Sequence, residues 1–244
     1  MKRIFLFVLT VSLLITSLSG CFINLDPAGS LLTSSDEIER TYTATELGTF
    51  DRLDMGSAYR ITVVPGNTPS MTVKGDRRDV EDLEFNIRAN TMNVRYNKSR
   101  IRRYTLTIRI TMPTLRGVAL SGASKSDVSG FRNLSDLSIE LSGASKAYFN
   151  LQANRIDLDL SGASKIDFTG SGNMLQADVS GASELEGFDY PFADVTLDVS
   201  GASHAYVTTS NTLNVTANGA SKVRYRGNPA IMQTVSGASK VEKD

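Results

Sequence analysis

The sequence predicts an all-β protein built as a parallel β-solenoid, and two observations lead to this prediction. A tetrapeptide recurs seven times in the second half of the chain, at steps of 21, 19, 19, 20, 18 and 18 residues. The segments between the copies alternate apolar and polar residues. A short fixed period indicates coils stacked on one another, and an alternation with period two indicates strands with one buried face. The copies begin at Ser121, Ser142, Ser161, Ser180, Ser200, Asn218 and Ser236; the sixth reads Asn-Gly-Ala-Ser and the others Ser-Gly-Ala-Ser.

One coil illustrates the strand pattern. Ile156, Leu158 and Leu160 alternate with Asp157 and Asp159 ahead of the third motif copy. A coil of about 19 residues accommodates two or three short strands, and parallel coils about 4.8 Å apart give a rod of roughly 34 Å over seven motifs. We expect a right-handed β-helix, because parallel crossovers are usually right-handed. An α/β leucine-rich solenoid has a similar period, but it requires a helical spacing that these coils lack.

The motif glycines are predicted to be structural. Glycine permits a sharp bend and a close approach of two backbones. Stacking would place each small motif above the previous one, and its serine hydroxyls could satisfy neighbouring backbone groups. Whether each serine points inward or outward is left open by the alternation. The glycines concerned are Gly122, Gly143, Gly162, Gly181, Gly201, Gly219 and Gly237.

Two outer columns of charge follow from the same register. The residues directly after the motifs are mostly basic, and the residues two positions before them are mostly acidic or small. We consider a ligand stripe for the first column, a weak divalent-cation site at Asp159, Asp178 and Asp198 for the second, and simple solvated faces for both. The basic column contains Lys125, Lys146, Lys165, Lys222 and Lys240, interrupted by Glu184 and His204.

The region before the repeats, residues 49–116, contains strand-like runs and is predicted to form irregular coils or a β cap. Residues 76–83 are predicted to form one short helix with Asp76 as its N-cap. An open solenoid end must be covered. At the other end, the charges of residues 241–244 could blunt the last edge, or a partner could cover it. Residues 49–244 are therefore treated as a single domain, with the repeats at 117–244.

The N-terminus predicts export and a lipid anchor. Lys2 and Arg3 precede an apolar run over residues 4–15, which is too short to remain in a bilayer as a spanning helix. Leu18-Ser19-Gly20-Cys21 then resembles the bacterial lipobox, and Cys21 is the only cysteine. We expect a signal peptide at 1–20, lipidation of Cys21, and a flexible polar tether over 21–48. Phe22 after the cysteine favours the outer membrane by proteobacterial rules, with the periplasmic or surface face left open.

Composition argues against several functional classes. The 26 basic and 26 acidic residues balance, so no strong field attracts nucleic acid. The one histidine, His204, lies in the lysine column, so a serine triad or a zinc site is not expected. No nucleotide-binding fingerprint is present. We therefore expect no cofactor and no catalytic residues.

Five sequence features resemble one bacterial family. These are the lipobox, Phe50-Asp51-Arg52-Leu53, Val63-Val64-Pro65-Gly66, Met112-Pro113-Thr114-Leu115, and the first motif entered through Leu120, followed by its repeats. Together they resemble the autotransporter-adhesin head, or GIN, domain family, a domain of unknown function, over about residues 49–240. The resemblance implies an envelope protein with a β-helical fold and brings no catalytic residue with it.

The sequence therefore predicts a lipid-anchored, non-catalytic solenoid of the cell envelope that acts in adhesion or surface interactions. Its partners would be the membrane, through the lipid, and a glycan or another surface protein. The alternatives are a polysaccharide-binding or polysaccharide-degrading β-helix, since such folds also host enzymes, and a purely structural or regulatory envelope component.

Overall fold

The structure, a computed structural model, describes residues 36–244. The predicted β-solenoid is confirmed. Each coil runs along one side of the rod to a motif, turns sharply there, and returns along the other side. We call these sides the pre-motif face and the post-motif face.

The repeat region consists of ten strands, and four of them are long. β11 to β14 are 14 to 16 residues each and follow the chain from one motif to the next. Every pairing in this region is parallel, with equivalent positions of successive coils opposite one another. The strands are β8 (Gly117–Ser121), β9 (Lys125–Ser129), β10 (Leu134–Leu141), β11 (Lys146–Leu160), β12 (Lys165–Val179), β13 (Glu184–Val199), β14 (His204–Ala217), β15 (Lys222–Arg226), β16 (Ala230–Val235) and β17 (Lys240–Lys243).

The alternation seen in the sequence places the core between the two faces. Ile156, Leu158 and Leu160 are at most 4% exposed, and their counterparts in neighbouring coils are buried in the same columns. Asp157 and Asp159 point outward. Fully burying such a side chain contributes about 1.5–3 kcal/mol, so a repeated column of them stabilises the stack as a whole.

The motif forms the sharp corner of each coil. Gly162 has φ +74°, and the amide of Ala163 donates to the carbonyl oxygen of Gly143 at 2.7 Å. A Cβ on Gly162 would lie 2.5 Å from that oxygen, so only glycine fits there. The other six motif glycines have φ between +68° and +78°. The structural role predicted for them agrees with this geometry.

The orientation of the motif serines, left open by the sequence, is now clear. The last serine of each of the first six copies is buried. Ser145 Oγ donates to the carbonyl oxygen of Ser142 at 2.9 Å, and Ser164 Oγ does the same to Ser161. In these two coils the hydroxyl thus satisfies a corner carbonyl three residues earlier, whereas Ser221 Oγ donates to the carbonyl oxygen of Val199 at 3.2 Å.

The N-terminal part is stacked out of chain order. β2 (Arg52–Gly56) and β3 (Arg60–Pro65) form a coil between β8 and β9 on one side and β6 (Thr91–Tyr96) and β7 (Thr107–Met112) on the other. In this coil residues 57–59 lie across the first motif, with Tyr59 in place of the buried serine. It is a divergent corner that sequence inspection missed.

Antiparallel strands cover this end of the rod. β4 (Ser70–Asp76) pairs with β7 and with β1 (Glu37–Tyr42), and β5 (Leu83–Arg88) pairs with β6, all antiparallel. The predicted helix is α2 (Arg77–Glu81), and the Asp76 carboxylate accepts from the Arg78 amide as its cap. The predicted β cap is therefore present.

The flexible tether was predicted to extend from residue 21 to residue 48, but the folded unit already includes residues 37–48. β1 and α1 (Ala44–Leu47) already belong to the folded unit, with Tyr42 and Leu47 buried in the core. The polar composition of this segment concealed the fact that β1 completes the edge of β4 through its backbone. Residues 1–35, including the predicted signal peptide and Cys21, lie outside the described residues.

The C-terminal end of the rod is open. β16 pairs only with β14 and β17 only with β15 among the described residues. Ile231 and Val235 are each 41% exposed where the core columns end. Lys243, in register with Tyr225 of the preceding coil, donates from Nζ to Asn228 Oδ1 at 2.7 Å. A charge at an inward position discourages strand addition, in keeping with the blunted edge considered above.

Candidate ligand-binding surfaces

The predicted lysine column is aligned on the post-motif face. Lys125, Lys146 and Lys165 stand opposite one another in successive coils, followed by Glu184 and His204. Lys222 and Lys240 complete the column. Whether it binds a ligand stays a prediction.

Acidic neighbours neutralise the middle of this column. Lys165 Nζ lies 2.6 Å from Glu184 Oε1 and 3.8 Å from carboxylate oxygens of Asp167 and Glu186. The hydrogen bond to Glu184 raises the pKa of Lys165. Lys222 Nζ is likewise 3.6 Å from Glu242. The basic stripe is therefore weaker as an anion site than its sequence suggests.

A carboxyl pair interrupts the face at Glu184 and Glu186. The ammonium group of Lys165 lowers the pKa of Glu184 through their hydrogen bond. Burial, followed by the hydrogen bond with Glu184, raises the pKa of Glu186 to about 6. The pair therefore holds a proton in mildly acidic solution, when an isolated glutamate would be ionised.

The acidic column is also aligned. Asp159, Asp178 and Asp198 stand opposite one another on the pre-motif face and are exposed. Burial, then the charges of Asp198 and Asp159, raise the pKa of Asp178. Within residues 36–244 no group of three or more His, Cys, Asp or Glu residues could hold a metal ion. The arrangement gives the cation-site hypothesis no support, because stacked carboxylates on a flat sheet point the same way and do not converge.

The most irregular coil carries an aromatic insertion. Register shifts at Gly187/Pro191 place Tyr190 inside the solenoid beside Ala153 and Gly172, where it is fully buried and its hydroxyl oxygen accepts from the Ala153 amide at 3.1 Å. Gly172 of the preceding coil leaves room for this ring, since a Cβ there would lie 2.9 Å from it. On the outside, Phe188 packs edge-on against Tyr206 at 5.5 Å.

A salt-bridge cluster fastens the loop between β6 and β7 to α2. Arg102 reaches both Asp79 and Asp82, and its guanidinium lies 3.7 Å from the ring centroid of Tyr96. Burial raises the pKa of Asp82, but the hydrogen bonds from Arg102 and the Lys98 amide, with the nearby arginine charges, together hold it below its usual range. All partners are satisfied by one another, so we assign the cluster a structural role.

A polar groove of about 510 Å³ lies where the coils pass from the post-motif face back to the pre-motif face, and sequence inspection missed it. We call it the amide groove. Three successive coils contribute to it, and its signal in the sequence is a 19-residue spacing of amide and hydroxyl side chains. Its lining residues are Asn133, Leu134, Ser135, Gln152, Ala153, Asn154, Ser171, Gly172 and Asn173.

A second concavity, of about 270 Å³, adjoins the amide groove at Ser135. Arg52, Arg116, Asp136 and Asp157 line it together with serines. Arg116 pairs with Asp51 at 3.6 Å, and Asp157 pairs with Arg155 at 3.1 Å. The two concavities form one continuous flank in which the charges of the lining residues balance.

These features define a β-solenoid that presents flat, repetitive outer faces with shallow concavities. The chain belongs to the family described as "Putative auto-transporter adhesin, head GIN domain", whose model matches residues 49–229. The resemblance expected from the sequence is thus confirmed. The family supports an adhesin-like role and a location at the cell surface or envelope.

Solved structures share this fold at low sequence identity. A putative adhesin from Bacteroides fragilis is 18% identical with a TM-score of 0.80, covering 86% of this chain and 98% of its own. A putative adhesin from Parabacteroides merdae is 14% identical with a TM-score of 0.68, covering 87% and 98%. A putative lipid binding protein from Parabacteroides distasonis has the same identity, TM-score and coverage as the latter. Among curated proteins no significant match is found. No helix within residues 36–244 is long and apolar enough to span a membrane.

Proposed function

We propose that this protein is a lipid-anchored, non-catalytic adhesin of the cell envelope that binds through the outer faces of its solenoid. The observation that carries the proposal is the in-register stacking of seven motif coils. This stacking repeats each outward position along the rod. A repetitive face distributes affinity over many similar contacts, as extended solenoid surfaces do. Family membership supports the same role.

Anchoring depends on Cys21 in this proposal. A single acyl chain gives only marginal membrane binding, whereas several chains on one residue give a stable anchor. We expect incorporation of labelled palmitate into the exported chain and no incorporation into the Cys21→Ala variant. Equal labelling of both would reject the anchor. Protease treatment of intact cells would then separate the surface face from the periplasmic face of the outer membrane.

Adhesion itself is tested on cells that express the protein. We expect them to bind immobilised extracellular glycans or partner cells more strongly than cells carrying Cys21→Ala, which exports the same domain without its lipid. Equal adhesion by the two kinds of cell would contradict the proposal. The lysine column is tested by changing Lys146, Lys165 and Lys222 to Ala together. Unchanged adhesion would remove this column from the binding surface.

The second candidate is a polysaccharide-binding protein, which the amide groove favours. Degradation would additionally require carboxylates converging on one bond. The aligned aspartates of the pre-motif face are stacked in a column and point outward together, so the structure provides no specific support for degradation. Incubating the purified chain with polysaccharides and measuring new reducing ends would detect this activity, and any turnover that survives purification would contradict the non-catalytic assignment.

A further inference from the structure

The amide groove has the hydrogen-bonding pattern that suits a sugar. We propose that it binds a short stretch of neutral oligosaccharide, which lies across three coils of the solenoid. This proposal deepens the adhesin proposal and rests on it for its biological meaning, but the binding itself is a separate physical claim. The argument depends on the arrangement, the hydrogen-bonding capacity and the charge of the lining residues.

The polar side chains of the groove form two columns. Leu134, Ala153 and Gly172 stand opposite one another in successive coils and form the middle column. On one side of them lie Asn133, Gln152 and Ser171, and on the other side lie Ser135, Asn154 and Asn173. Neighbouring members of a column are about 4.8 Å apart because that is the spacing of paired strands. The result is a grid of six outward amides and hydroxyls on a rigid sheet.

Contacts within the columns orient these amides. Asn173 Nδ2 donates to Asn154 Oδ1 at 2.7 Å, and Gln152 Nε2 lies 3.5 Å from Ser171 Oγ. These contacts leave Asn154 Nδ2, Asn173 Oδ1 and Gln152 Oε1 without a protein partner in the described part of the chain. Donors and acceptors therefore alternate over the grid. A sugar hydroxyl both donates and accepts, so it can use such neighbouring groups together.

The floor of the groove is fixed from below. The backbone of Gly172 packs against the buried ring of Tyr190, whose hydroxyl oxygen also accepts from the Ala153 amide. Oriented amides on a fixed floor lose little conformational freedom when a ligand binds. The aromatic insertion of β13, which has no counterpart in the other coils of residues 36–244, thus supports the groove from inside.

The charges favour a neutral ligand. No lining residue of the amide groove is charged. The adjoining concavity carries Arg52 and Arg116 against Asp136 and Asp157, so it adds no net attraction for an anion. An extended peptide would also need pockets for its side chains, and Leu134 and Ala153 are buried beneath the strand surface. A neutral carbohydrate is the class that meets all of these conditions.

The test uses the full chain with Cys21→Ala, exported and purified, on a printed array of neutral and acidic oligosaccharides. We expect binding to neutral members, followed by a loss of about tenfold in affinity in the Asn154→Ala, Asn173→Ala double variant, because two or more hydrogen bonds are lost. Ser135→Arg places a long side chain at the junction of the two concavities. It should weaken binding although Asn154 and Asn173 are both retained. Asn211→Ala is the matched control, since Asn211 is an exposed amide outside the groove.

Four results would overturn the proposal. They are no binding to any neutral oligosaccharide, binding confined to acidic members, equal binding by the groove variants and the parent, and equal weakening by Asn211→Ala. Thermal unfolding of each variant checks that the fold is retained, and Ser135→Arg keeps the test decisive if the double variant unfolds. Adhesion without array binding would reject this groove and leave the adhesin proposal standing. Array binding without adhesion would support the amide groove as a carbohydrate site and reject the adhesin proposal.

Discussion

The corner glycines make a quantitative prediction about stability. In Gly162→Ala the new methyl would lie 2.5 Å from the carbonyl oxygen of Gly143 and 3.0 Å from its nitrogen. Both are backbone atoms within the stack, so neither can move away alone. Relieving the clash would lengthen the 2.7 Å hydrogen bond from Ala163 to Gly143.

Three effects determine the size of the loss. A residue with a Cβ at positive φ costs about 1–2 kcal/mol, and the reduced entropy of the unfolded chain returns about half of that. A strained backbone hydrogen bond costs about 1 kcal/mol. Overpacking against fixed atoms adds about 1–3 kcal/mol. We therefore expect Gly162→Ala to lower the free energy of unfolding by about 3–5 kcal/mol.

Gly48→Ala is the matched control. Gly48 has φ +65° and ψ −152°, a backbone conformation that is essentially restricted to glycine, but nothing lies within 4 Å of its added Cβ, so the variant carries only a conformational cost of about 1–3 kcal/mol. Urea unfolding followed by circular dichroism and by tyrosine fluorescence measures both variants, and coincident curves justify a two-state analysis. If the two variants lost stability equally, the stacking argument for the motif would be refuted.

Three further predictions concern other parts of the rod. Tyr190→Phe should cost about 1–2 kcal/mol in urea unfolding because the buried Ala153 amide loses its acceptor; an unchanged midpoint would show that water replaces the hydroxyl. Arg102→Met should cost about 3–5 kcal/mol by thermal or urea unfolding, since it leaves a buried carboxylate without its main partner. The pKa of Asp82 is held below its usual range, so its contribution is present above its unfolded pKa and is lost as pH falls through the folded value; the Met variant should lose this acid sensitivity. Glu186 has a pKa raised to about 6, so its effect on stability has the opposite pH dependence: its ionisation lowers the free energy of unfolding as pH rises from 4.5 through 6. Glu186→Gln should therefore stabilise the protein at pH 7 and flatten the plot of stability against pH between those two values.

The sequence was most informative where one interaction repeats. Gly162 and Ser164 recur in every coil because each coil meets the same neighbour, so period and alternation were enough to predict the stacked strands. The same reasoning failed at Tyr59, where a single aromatic replaces the serine and hides a corner of the same shape. It also could not show that the coil of β2 and β3 lies between two later coils, because strand order depends on long-range pairing.

The binding surfaces were harder to predict for a related reason. The lysine column follows directly from its position after the motif, but its neutralisation by Glu184 depends on side-chain contacts across coils. The amide groove involves Asn154 and Asn173, which lie far from any motif and become neighbours only when the register is known. Its support by Tyr190 depends on an insertion whose inward direction no local pattern reveals.

The asymmetry of the two rod ends has a consequence for how such proteins can change in length. In the last coil, β16 and β17 each keep one outer edge that pairs with no further described strand, whereas β1, β4 and β5 close the opposite end. A duplicated segment of about twenty codons could be appended at the C-terminal side once the inward Lys243 is replaced by an apolar residue like those of earlier coils. Elongation by this route would proceed in one direction only and would leave the cap untouched.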